Sequence, residues 1–185
     1  MISKATVSSG AILMKLAKEE KIWALGHPED IGGGGMPFME YVYVNEVIGR
    51  SSFAMVALGT HSLQDSIMLR EFASAQWRDK YLEPLVQGEI FPSFGMTEPA
   101  VASSDPTQLK TRAVLEGDEW VINGEKHWTS GAGDPRCKVM ICMVKTDFDA
   151  PKHLQQSQIL VPMDAPGVEI VRPLTVFNNV DAPHK

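Results

Sequence analysis

Cysteine is scarce, with two in 185 residues, too few for a disulfide scaffold. Cys137 and Cys142 lie five apart in an expected strand, and that spacing fits no common zinc or redox motif. They read as reduced, small buried side chains. Excess positive charge is also missing. Lys and Arg number 17 against 23 Asp and Glu, for a net charge of −6. That argues against a nucleic-acid partner. It leaves room for a phosphorylated cofactor, which needs only a few local cations or N–H groups. No apolar run is long and clean enough to cross a bilayer. The most apolar stretch, residues 52–69, is broken by Gly59, Thr60, His61, Gln64 and Asp65 and reads as a buried helix. The first seven residues hold no apolar core of signal-peptide length. No metal-ligand cluster, Ser/His/Asp order, internal repeat or low-complexity tract stands out.

What is present is the composition of a globular protein, 44% hydrophobic, long enough for one ordinary domain or two small ones. The pattern changes near residue 93. Before it the period is helical. Ile12, Leu13, Leu16 and Ala17 share a face, with Ser8 or Ser9 as a cap. His27 to Gly35 reads as a loop, and Pro37 suits the first turn of a helix through Phe38, Tyr41, Val44 and Ile48. A third helix is expected from Phe53 to Leu69, and a fourth, capped by Ser74, over Trp77, Tyr81 and Leu82.

After Phe91 short β-branched runs alternate with turns. Residues 113–115 and 120–122 read as a hairpin around Glu116-Gly117-Asp118. Asn123-Gly124 predicts a type I′ turn. Residues 138–145, 157–161 and 168–171 read as further strands, and 147–158 as a polar surface loop. Several short strands suggest a small barrel or sandwich. The expectation is an α+β chain: a helical domain over 1–93, then a β domain over 94–185.

The glycines at 32–35 lack the preceding strand and following Gly-Lys-Ser/Thr of a phosphate loop, so they read as a flexible turn. Two other segments could carry chemistry. Phe94-Gly95-Met96-Thr97-Glu98-Pro99 and Ser103-Ser104-Asp105 gather small and hydroxylic residues behind an apolar run. Backbone there can approach a flat ligand, and its N–H and O–H groups can bond the ligand's heteroatoms. A capped turn is the plainer alternative. His127-Trp128-Thr129-Ser130 ends the strand after Asn123-Gly124, where an indole can cover an aromatic ring. A core Trp with a turn behind it is the alternative. His61 reads as a satisfied core histidine, and His127 stays open.

Together these segments resemble the acyl-CoA dehydrogenase family. Thr97-Glu98-Pro99 with Ser103-Ser104-Asp105 is similar to its Thr-Glu-Pro…Ser-Asp signature. Asn123-Gly124-Glu125-Lys126-His127-Trp128-Thr129-Ser130 is similar to its Asn-Gly-x-Lys-x-Trp-Ile-Thr segment. The stretch His27-Pro28-Glu29-Asp30-Ile31-Gly32-Gly33 agrees. The form Val101-Ala102-Ser103-Ser104-Asp105 resembles most the subgroup that is fused to a kinase-like domain in animals and handles long or branched acyl chains.

The resemblance implies a helical N-terminal domain, a middle β-barrel and a C-terminal helical bundle. The 185 residues would supply the first and a partial second. It implies FAD as cofactor, an acyl-CoA substrate, electron-transfer flavoprotein as acceptor and a homo-oligomer. Phe94, Met96 and Thr97 would line the flavin. Ser103 and Ser104 would lie near its diphosphate and the pantetheine arm, with Ser104 the substrate contact. Trp128 would pack on the ring, with Thr129 and Ser130 at its polar rim. The inserted residue before Asp105, and Ala100 and Ser103 in place of glycines, shift that register.

In the family a carboxylate of the C-terminal bundle takes the α-proton. This chain ends at Pro183-His184-Lys185, inside the expected middle domain, so no catalytic residue is assigned; Glu98 reads as structural. An acyl-CoA oxidase, a nitroalkane oxidase or a non-catalytic binding module are the alternatives. A chain bounded this way would expose sheet edges and self-associate. Location follows source: cytoplasmic in a bacterium, mitochondrial or peroxisomal in a eukaryote.

Overall fold

In a computed structural model the described residues are 4–51, 53–176 and 179–184. The chain forms two compact units, Met1–Ile90 and Phe91–Lys185. The first is helical and the second is built on strands. The expected α+β class holds.

Helix α1 spans Lys4–Glu19. Ser8 and Ser9 therefore lie inside it and not at its start. Of its expected apolar face only Ala17 is buried, while Ile12, Leu13 and Leu16 stand exposed. Helix α2, Phe38–Ile48, starts directly after Pro37, whose carbonyl accepts from Glu40 N and Tyr41 N. It buries Tyr41 and Ile48 and exposes Phe38, Met39, Tyr43 and Val47.

The single helix expected over 53–69 is broken in two. Helix α3 covers Ala54–Ala57, a 3-10 turn covers Thr60–Ser62, and α4 covers Leu63–Phe72. The break is at Gly59. Its φ is +69°, and a Cβ there would lie 2.6 Å from the Trp23 ring. The indole needs that space, because Trp23 Nε1 donates to the Val86 carbonyl at 2.9 Å in the core. His61, on the 3-10 turn, is half-buried; among the residues whose burial is described the fully buried histidine is His27. Its Nε2 lies 3.3 Å from Ser62 Oγ, and that hydroxyl reaches the Leu85 carbonyl at 3.2 Å.

The fourth helix begins after Ser74 but changes period. Helix α5, Ala75–Trp77, passes through a π turn at Arg78–Leu82 into α6, Glu83–Val86. Pro84 lacks the N–H that would continue the α ladder, and the wider turn precedes it directly. The glycines at 32–35 are not slack. Gly33, Gly34 and Gly35 each donate a backbone N–H, to Pro28, Ala24 and His27.

In the second unit β4, Cys137–Lys145, is the central strand. Val139, Ile141, Cys142 and Val144 are almost wholly buried on it, and both cysteines are reduced. On one side β1, Phe91–Gly95, runs parallel to it. On the other β5, Gln156–Pro162, runs antiparallel. The hairpin of β2, Arg112–Glu116, and β3, Glu119–Asn123, joins at the far end through Arg112 and Lys145. Its tip is the expected turn, with Gly117 at φ +65°. Strands β6, Leu174–Val176, and β7, Asn179–His184, pair separately. The five-stranded sheet is open among the described residues and closes no barrel.

Three expectations are corrected. Asn123-Gly124 makes no type I′ turn, since neither residue has the positive φ it requires. The chain leaves β3 extended, and the glycine is needed for closeness: a Cβ would sit 2.3 Å from Thr111 Oγ1. Residues 168–171 form no strand; Ile170 and Val171 are exposed and have no ladder partner. The polar loop after Asp147 is shorter than expected, because β5 begins at Gln156.

Candidate functional site

The two chemistry-bearing segments converge in the second unit. β1 alternates, with Phe91, Ser93 and Gly95 buried and Pro92 and Phe94 half-buried on the other face. It delivers Met96, Thr97 and Glu98 at its end. β3 delivers residues 124–130. The two exits are clasped at one point: His127 N donates to the Thr97 carbonyl at 2.8 Å, and Thr97 Oγ1 donates back to the His127 carbonyl.

Below this clasp lies a buried ion pair. Lys126 Nζ is 2.8 Å from Glu98 Oε1, and both side chains are under a tenth exposed. The same ammonium donates to the Met96 carbonyl at 3.1 Å. Glu98 also accepts from Lys110 N at 2.7 Å, Thr111 N at 3.0 Å and Thr111 Oγ1 at 2.6 Å. Burial disfavours its charge, but the Lys126, Thr111 and Lys110 donors outweigh that and hold the carboxyl down at about 2. Glu98 is therefore a carboxylate with its acceptors occupied, which suits a structural peg and not a proton acceptor. Ser103 completes the turn. It is buried, its Oγ accepts from Glu98 N at 2.7 Å and donates to the Glu98 carbonyl.

The clasp leads into Trp128, which has φ +57°. That left-handed backbone is uncommon for a bulky residue and costs of order 1–3 kcal/mol. The side chain is still 45% exposed, so burial of the indole does not explain the strain. The His127 ring lies 5.3 Å from it at a tilt of 52°. Thr129 behind it is buried, and its Oγ1 has no hydrogen-bond partner among the described residues. Buried hydroxyls nearly always have one. An exposed strained indole beside an orphaned hydroxyl fits a planar ligand with polar edges.

Of the residues singled out in the sequence, Phe94, Met96, Thr97, Trp128 and Thr129 fall on or beside the clasped exits. Phe94, Met96 and Thr97 are half-buried, and Ser130 is exposed. Ser103 spends its hydroxyl on the Glu98 backbone, while Ser104 is exposed. Lys126, Thr111 and Lys110 were not anticipated. No local signal marks Lys126 as buried, because it lies in the polar run Asn123-Gly124-Glu125-Lys126-His127. No sequence signal marks the Trp128 backbone.

Comparison with known proteins matches the acyl-CoA dehydrogenase N-terminal domain over residues 4–89 and the acyl-CoA dehydrogenase middle domain over residues 93–184. Acyl-CoA dehydrogenase family member 11 of Mus musculus is 39% identical across 93% of this chain, which spans 22% of that relative. A Mycobacterium abscessus protein assigned as an acyl-CoA dehydrogenase superposes with a TM-score of 0.89 at 40% identity, covering 94% of this chain and 43% of that one. An acyl-CoA dehydrogenase from Bacillus anthracis, solved in complex with FAD, gives 0.68 at 27% identity, covering 90% and 28%.

Proposed function

Because this chain belongs to the acyl-CoA dehydrogenase family, we propose that it supplies the flavin-side wall of an enzyme that desaturates an acyl-CoA thioester between Cα and Cβ. One observation carries the reading. The wall made by the clasped exits of β1 and β3 ends in an exposed, strained Trp128 beside the orphaned Thr129 hydroxyl. FAD fits both features, because it has a flat ring to cover and polar edges to satisfy.

When bound, FAD supplies the electron acceptor for the β-hydride. The residues of this chain orient it. Phe94 and Trp128 offer apolar surface to the ring. The Met96–Thr97 backbone and the Thr129 and Ser130 hydroxyls offer hydrogen bonds to its edges. These donors are held in advance by the clasp, so little reorganisation is needed as charge develops. Ser104, with its hydroxyl exposed, is the candidate for contact with the CoA arm. Ser103 acts beneath it by fixing the Glu98 turn. Glu98 does not suit the α-proton, since it is occupied and held ionised at about 2, and no base is assigned within these residues. Electron-transfer flavoprotein as acceptor and a homo-oligomeric state follow from the same reading.

The test is flavin binding by the purified protein. Titration with FAD should give a resolved, shifted visible band that Trp128→Asn weakens at least tenfold. A free-flavin spectrum at every concentration would contradict the proposal. Oxygen reactivity of the reduced flavin then separates a dehydrogenase, which reacts slowly, from an oxidase.

A further inference from the structure

The Glu98–Lys126 pair adjoins the proposed flavin wall and does more than join two segments. Lys126 Nζ divides its bonds between a carboxylate and a peptide carbonyl, at 2.8 Å to Glu98 and 3.1 Å to Met96. That carbonyl belongs to the Met96–Thr97 peptide, whose N–H lies in the expected flavin-lining turn. A cation on the carbonyl polarises the peptide and strengthens its N–H as a donor. Glu98 opposes this with a negative charge one residue beyond Thr97. Side-chain exposure is 9% for Lys126 and 4% for Glu98, so water and salt screen neither well.

We infer that Glu98 and Lys126 are a positioning pair whose charge balance sets how readily flavin on this wall accepts electrons. The inference rests on the flavin reading above. A pair that merely clamped two segments would behave differently. Loss of either partner would then loosen the wall in the same way. If the pair acts through charge, the two losses act in opposite directions.

The experiment is spectroelectrochemical titration of the FAD-loaded protein carrying Lys126→Met, Glu98→Gln or both. Lys126→Met leaves a buried negative charge and weakens the Thr97 N–H as a donor, so the reduction potential should fall. Glu98→Gln leaves the ammonium uncompensated, so the potential should rise. The double variant buries no unpaired charge and should return most of the way. If Lys126→Met does not fold, a rise in Glu98→Gln that the double variant cancels carries the same sign information. Shifts of one sign in both single variants, or bound flavin with unmoved potentials, overturn the inference. Failure of the unsubstituted protein to bind FAD overturns the functional reading instead.

Discussion

Lys126 and Glu98, 28 residues apart in sequence, meet at 2.8 Å with both side chains almost out of water. Removing one partner of a buried pair strands the other and costs about 3–5 kcal/mol. Lys126→Met should therefore lower the melting temperature of the second unit sharply. Adding Glu98→Gln should recover part of that loss. A double variant that loses the sum of the two single losses, read by thermal unfolding of all three variants, would show that the pair is not coupled.

The same carboxylate gives a pH signature. Its folded value, about 2, lies below the ordinary 4.5. The stability it contributes is present above the ordinary value and is lost as pH falls toward the folded one. Glu98→Gln should flatten the acid limb of the stability curve, and an unchanged acid limb would contradict the assignment.

Asp65 has the opposite sign. Burial on α4 raises its carboxyl to about 6. The folded protein then holds this proton more tightly than the unfolded chain. Stability from it is complete below the ordinary carboxylate range and is lost as pH rises through about 6. Asp65→Asn should stabilise the helical unit at neutral pH by up to about 3 kcal/mol, at about 1.4 kcal/mol per unit of pKa. Unfolding curves of the two proteins should converge in acid, and a constant gap across pH would refute the prediction.

Gly124 was expected to serve a hairpin turn and instead serves close packing. An added Cβ would meet Thr111 Oγ1 at 2.3 Å, and that hydroxyl is itself bonded to Glu98. Gly124→Ala should cost about 1–3 kcal/mol through overpacking. Gly124→Ala on a Thr111→Ala background should cost less, as a melting series would show. Equal costs on both backgrounds would mean that the collision is not with Thr111.

Local pattern made much of this legible. Short β-branched runs marked β4 and β5, Gly117 marked the hairpin tip, and the change of period marked the passage from helices to strands. The errors share a cause: each depended on a distant partner. Gly59 breaks a helix because Trp23 needs its space. Asn123-Gly124 is extended because Thr111 lies against it. Residues 168–171 have strand composition but no neighbouring strand to pair with. At the site, residue types drew attention to the segments that hold Thr97 and Trp128, and the resemblance supplied their expected roles. The clasp, the Lys126 bonds and the left-handed Trp128 backbone arise only when two strands end side by side.

Trp128 links strain to the proposed function. Asn tolerates φ near +57° better than Trp. Trp128→Asn should leave stability unchanged or raise it by about 1 kcal/mol while weakening FAD binding. A variant that is less stable and binds FAD normally would mean that the indole serves the fold and not the cofactor.

The most direct measurement is the anaerobic visible spectrum of the purified, FAD-loaded protein before and after addition of acyl-CoAs of graded chain length. The account predicts a protein-shifted flavin band that weakens in Trp128→Asn and that no acyl-CoA of the series bleaches, because these residues position the flavin and supply no base for the α-proton. Bound flavin that an acyl-CoA bleaches with these residues alone, or no bound flavin at all, would contradict it.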